Sequence, residues 1–109
     1  MAISELNIKS EDRELLKNIQ SGNKTAIIQG LVHPGAIYRV NAAINAVRYE
    51  IREATIKIYL DRLKTDEIVM NGYKVSDFAY AALDLLNLER YTQNDIRVRR
   101  LIVSKFNFE

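Results

Sequence analysis

From Ala36 onward, apolar side chains return every three or four residues, at Ile37, Val40, Ile44, Val47 and Ile51. That spacing puts them on one face of an α-helix. Ala42, Ala43 and Ala46 lie beside the stripe and give the helix a second, close-packing flank, so it is expected between neighbours on two sides. The pattern recurs upstream. Leu15, Leu16 and Ile19 form a stripe over Ser10–Gln20, where Ser10 can cap the helix. Glu11, Asp12 and Glu14 suit the positive end of its dipole, and Lys17 suits the other. Ser21-Gly22-Asn23 ends it, with Gly22 able to turn left-handed and Asn23 placed to cap a short second helix, Lys24–Leu31.

His33-Pro34-Gly35 punctuates the chain before Ala36, and proline suits the first turn of a helix. No glycine or proline interrupts Ala36–Lys64, and the stripe can be carried on through Ala54 and Ile58, which allows one long helix. Ile56, Tyr59, Leu60 and Leu63, however, form a stripe out of phase with the first. That phase change favours a turn within Tyr49–Thr55. Asp66–Gly72 reads as a loop despite Ile68, Val69 and Met70.

Ser76 is expected to cap a further helix, with Val75 and Tyr80 as a hydrophobic staple. Phe78, Ala79, Ala82, Leu83, Leu85 and Leu86 fill two of its faces. Asn87–Asn94 is a break, and Thr92 with Asp95 resembles a capping box for a last helix carrying Val98, Leu101 and Ile102. That helix is expected to fray into Phe106 and Phe108. No run alternates with a period of two, so no strand is expected. The reading is a single all-α domain of short antiparallel helices over 10–105, with tails at 1–9 and 106–109.

Composition narrows the classes. With 48% hydrophobic and 28% charged residues the chain can bury a core and solvate a surface, unlike a disordered segment. The absence of cysteine excludes a disulfide framework, a thiolate zinc site and a cysteine nucleophile together. Met1–Lys9 is too short and polar for a signal peptide, and no window approaches the roughly 18 apolar residues of a membrane span. A cytoplasmic protein without membrane contact is expected. Net charge is +2, from 16 basic and 14 acidic residues dispersed along the chain. Phosphate-driven binding needs clustered cations, which makes nucleic acid a poor default partner.

The chain also repeats itself. Gly35-Ala36-Ile37-Tyr38 falls on Gly72-Tyr73-Lys74-Val75 at a shift of 37 residues, which also puts Ala42 on Ala79 and Ala46 on Leu83. Less cleanly, Thr25, Ile28 and Leu31 fall on Thr55, Ile58 and Leu63. Asp66, Val75, Ala79, Ala82 and Leu83 in one copy, and His33-Pro34, Tyr38, Arg39, Ala42 and Ala46 in the other, resemble the HEAT-type (armadillo/HEAT) helical repeat, in a small bacterial form. Ser76 departs from the family's usual arginine after the valine. The resemblance implies a short α-solenoid of about two and a half antiparallel helix pairs.

Candidate chemistry is sparse. His33, the sole histidine, stands beside Pro34 without the partners that catalysis or metal binding needs, and reads as a cap. Asp61, Asp84 and Glu50 are not spaced to share a helix face for acid–base work and read as solvated charges. The four glycines are scattered singly, so no phosphate-binding loop is present. Among the tyrosines, Tyr59 and Tyr80 are expected in the core, with Tyr49, Tyr73 and Tyr91 freer near turns. No catalytic residue, cofactor, metal site or small-molecule substrate is expected.

Lys57, Asp61 and Lys64 share one helix flank, and Arg97, Arg100 and Ser104 another. In HEAT-like solenoids the second helix of each pair lines a concave, partner-binding surface, so the resemblance implies that these two stripes and Gln29 are neighbours there. Ordinary solvated flanks are the alternative. The expected function is a non-catalytic protein-binding module, an adaptor or a toxin-neutralising partner. A nucleic-acid-associated protein using Arg39, Arg48, Arg52, Arg97, Arg99 and Arg100 is the alternative.

Overall fold

Helix ends, more than helix interiors, decide how this chain folds back on itself. The computed structural model describes residues 10–107. Among these residues are six α-helices: α1 (Ser10–Gln20), α2 (Lys24–Leu31), α3 (Ala36–Arg48), α4 (Ala54–Arg62), α5 (Val75–Leu85) and α6 (Ile96–Ser104). A 3-10 turn, Leu63–Thr65, extends α4, and two short strands, β1 (Val69–Met70) and β2 (Tyr73–Lys74), precede α5. The fold is mostly helical, as the periodicity predicts. The expected tail 1–9, Phe108 and the Ser10 cap lie outside what the structure describes.

Three helices end in the same Schellman device, in which a left-handed residue lets two backbone N–H groups satisfy the last carbonyls. After α1, Gly22 (φ +87°) lets Asn23 N–H reach the Asn18 carbonyl at 3.0 Å. After α3, Glu50 (φ 52°) lets Ile51 N–H reach Ala46 at 2.9 Å. After α5, Asn87 (φ 58°) lets Leu88 N–H reach Leu83 at 2.9 Å. The turn favoured within Tyr49–Thr55 is therefore present, closed by a glutamate where glycine is usual. Holding Glu50 there costs on the order of 1 kcal/mol, offset by the burial of Ile51.

Helix starts differ from the expectations at two places. Asn23 caps α2 as expected, its Oδ1 accepting Ala26 N–H at 2.9 Å. Ser76 does not cap α5. The helix begins at Val75 straight from β2, Asp77 accepts Lys74 N–H at 2.9 Å, and Ser76 is buried with its N–H on the Asp66 carbonyl. With Val75 inside the helix, it cannot serve as a staple ahead of it. Thr92 caps nothing either: Asp95 is the cap of α6, accepting Arg97 N–H at 2.9 Å.

The segment expected to be a plain loop is a β-hairpin. Val69 pairs with Lys74 and Met70 with Tyr73. Asn71 (φ 55°) and Gly72 (φ 84°) make the two-residue turn between them, the backbone that type I′ turns demand and that Asn-Gly supplies at least cost. The 37-residue repeat is correspondingly inexact. Ala42 and Ala79 both face the core, but Gly35 precedes a helix whereas Gly72 closes a strand turn.

The close-packing alanine flank expected on α3 is present, and it is buried more deeply than the aliphatic stripe. Ala42, Ala43 and Ala46 are each at 1% exposure or less, against α1, α2 and α5. Ile44 and Val47 are only half-buried, and Ile37 is 46% exposed. Small residues win the core because the helices approach closely: a Cβ on Gly30 would stand 2.6 Å from Ile19 Cδ1 and 2.9 Å from Ala42 Cβ. Ile19, Ile27, Leu31, Ile56, Leu60, Phe78, Leu83, Val98 and Leu101 complete the interior. Phe106, expected to fray, is 1% exposed, its ring 5.9 Å from that of Phe78. Tyr91, expected near the surface, is buried against Tyr80. Helices that pack closely are one or two apart in chain order: α1 with α2 and α3, α2 with α3 and α4, α5 with α3, α4 and α6.

Candidate functional site

The flank Lys57–Asp61–Lys64 folds into an ion network. Lys57 Nζ lies 3.0 Å from Asp61 Oδ2, and Lys64 Nζ lies 3.1 Å from Asp61 Oδ1. Lys64 also binds Glu89 in the α5–α6 connection, with Lys57 Nζ 3.8 Å from the same carboxylate, and its ammonium stands over the Tyr80 ring. Burial pushes the Asp61 carboxyl up, but the hydrogen bonds and charges of the two lysines outweigh it and hold it below the usual carboxylate range. Burial likewise pulls the Lys64 ammonium down, and Glu89 and Asp61 more than reverse it. Two cations and two anions thus neutralise one another and fasten α4 to the chain leaving α5.

The remaining expected site residues stand apart from this network. Gln29 is exposed on α2, Arg97 and Arg100 are exposed on α6, and Ser104 Oγ donates to the Leu101 carbonyl at 3.1 Å. Among the described residues no hydrogen bond or ion pair joins Gln29, Arg97 or Arg100 to Lys57, Asp61 or Lys64.

The arginine set of the nucleic-acid alternative is dispersed. Arg39, expected on a basic face, is instead buried, its Nε donating to Asp66 Oδ2 at 2.9 Å and its Nη1 to the His33 and Pro34 carbonyls at 2.7 Å. It cannot contact a phosphate. Arg52 donates to the Leu86 carbonyl and pairs with Glu50, Arg99 stacks on Tyr91, and Arg48 is exposed. His33 serves as a structural acceptor, its Nδ1 taking Gly35 N–H at 2.8 Å ahead of α3 while Nε2 lies 3.1 Å from Asp12 Oδ1. Asp84 is likewise engaged locally, accepting Tyr91 N–H.

A mainly apolar concave feature with ligand-like dimensions lies elsewhere, between α3 and the hairpin. It is a cleft of about 400 Å³ lined by Ile37, Val40, Ile44, Met70, Tyr73 and Phe78, with the Asn41 and Asn71 side chains at its wall. Asn41 Nδ2 is turned back on the Ile37 carbonyl, so it presents its amide oxygen. Ile68 and Val69 on the hairpin are 49% and 62% exposed. The stripe Ile37–Val40–Ile44, read from sequence as core, is one wall of this cleft. What sequence reasoning missed was the other wall, and the signal for it was Asn71-Gly72 between Met70 and Tyr73.

These features describe a mostly helical protein with an apolar cleft and no cluster of three His, Cys, Asp or Glu side chains fit for a metal ion among the described residues. Nor is any helix among them long and apolar enough to cross a membrane. Comparison of the chain with protein-family models, curated proteins and solved structures gave no match.

Proposed function

We propose that this chain is a non-catalytic protein-binding module, built as a short HEAT-like solenoid, which holds its partner in the cleft between α3 and the hairpin. The observation that carries the reading is that cleft: six apolar side chains line it and exposed aliphatic residues continue onto the hairpin. Apolar concavities with a few polar groups at the wall are the usual form of a recognition site. The near-neighbour packing of the helices supports the solenoid, because stacked helical repeats touch only adjacent units.

The test is capture of a partner from the source organism by wild type and two surface variants. Ile37→Asp with Val69→Asp places charge at the cleft without touching the buried core. Gln29→Glu with Lys57→Glu changes the polar flanks away from α6. Loss of the captured protein with the first variant and its retention with the second is the expected outcome. Capture unaffected by the aspartates removes the cleft from the function.

A further inference from the structure

We infer that the outward face of α6 is a second docking surface, fitted to an acidic amphipathic helix of a partner protein. Val98 and Leu101 point into the core, with Ile102 half-buried beside them. The opposite face carries Ile96, Arg100 and Val103, spaced four and three residues apart and therefore in one row. Ile96 is 62% and Val103 82% exposed. Arg97 and Arg99 border the row on its two sides.

Charge on this face is one-signed. From Ile96 to Lys105 there are four cations and no carboxylate. Asp95, just ahead, is committed to Arg97 N–H. Arg97, Arg100 and Lys105 have no ion-pair partner among the described residues, unlike the lysines of α4.

An aliphatic row that includes Arg100 and is edged by Arg97, with Arg99 on its other side donating to the Gln93 carbonyl and stacked on Tyr91, complements a helix that carries an aliphatic row edged by carboxylates. Such pairing joins apolar burial to desolvated charge contacts, as in coiled coils and helix-in-groove recognition. Ile96 and Val103 are separated by about 10 Å along the helix, close to one heptad of a partner. A nucleic acid would use the arginines but would gain nothing from Val103, the most exposed large aliphatic side chain among the described residues. That residue decides for a protein helix.

The probe is a labelled peptide of about three heptads with leucine at a and d and glutamate at e and g, read by fluorescence anisotropy at low salt. Its twin carries lysine for glutamate. The glutamate peptide is expected to bind and the lysine twin to fail. Arg97→Glu with Arg100→Glu should weaken binding at least roughly tenfold, and Ile96→Ser with Val103→Ser at least about fivefold. Both variants should keep the wild-type circular dichroism and melting curve. Absence of binding by the glutamate peptide overturns the inference. So does binding that ignores the serine variant, or a short DNA duplex bound more tightly than the peptide, since either makes the face a plain anion site.

Discussion

Arg39 and Asp66, 27 residues apart in the chain, meet through an Nε–Oδ2 hydrogen bond of 2.9 Å with little solvent access at either end. The pair ties α3 to the start of the hairpin and so fixes the width of the cleft between them. Arg39 also supplies donors to two carbonyls of the α2–α3 connection, and Asp66 accepts Ile68 N–H at 3.2 Å. Removing one member strands the other. Arg39→Ala is expected to cost about 3 kcal/mol in urea unfolding, and the double variant with Asp66→Ala less than the two single costs added together. Additive costs would mean the two groups do not support each other.

Two glycines should respond to alanine for different reasons. At Gly30 the added methyl meets Ile19 and Ala42, and relief requires moving helices, so a loss on the order of 1–3 kcal/mol is expected. At Gly72 nothing lies within 4 Å, and the cost is only that of φ +84°, about 1 kcal/mol. Thermal melting separates them in size. Amide exchange separates them in place, since only the hairpin should loosen in Gly72→Ala.

The ion network sets a pH window. Asp61 is held below its unfolded value near about 3.9, so its contribution is present above that value and lost as pH falls through the folded one. Lys64 is held above its unfolded value near about 10.4, so its contribution is present below that and lost as pH rises through the folded one. The contribution of these two groups to stability should therefore be flat between these limits and decline outside them. Asp61→Asn should flatten part of the acid limb, measured as the melting midpoint against pH. An unchanged acid limb would place the sensitivity in other carboxylates.

Phe106 and Val103 are three residues apart and should behave as opposites. Truncating the buried ring in Phe106→Ala is expected to cost about 3–5 kcal/mol, whereas Val103→Ser should move stability by less than about 0.5 kcal/mol. Equal losses in denaturant melts would mean that the end of α6 is not seated as described.

The helices were legible because periodicity and glycine or asparagine ends coincided, as at Gly22 and Asn23. The α3–α4 turn was legible only through a phase change, since its left-handed residue is Glu50, a type that carries no turn signal. Both packing flanks of α3 were legible, but not which of them lies deeper. Periodicity locates apolar residues, but it does not say whether large or small ones sit where helices approach most closely, and here Ala42, Ala43 and Ala46 do. Arg39 and Phe106 were misplaced because burial of a charge, or of a residue past a helix end, depends on partners 27 residues away or more. The hairpin was spelled out by Asn71-Gly72, but two-residue strands are too short to alternate visibly.

Close packing between helices one or two apart has a kinetic side. Among the described residues the farthest-reaching side-chain hydrogen bond, Arg52 to Leu86, spans 34 residues. Loops of that size cost little entropy to close, and chains dominated by short separations fold in microseconds to milliseconds. α6, which packs closely on α5 alone, is the element that can peel away while the others stay folded. The arginine-bearing helix is then also the one most readily released from the body.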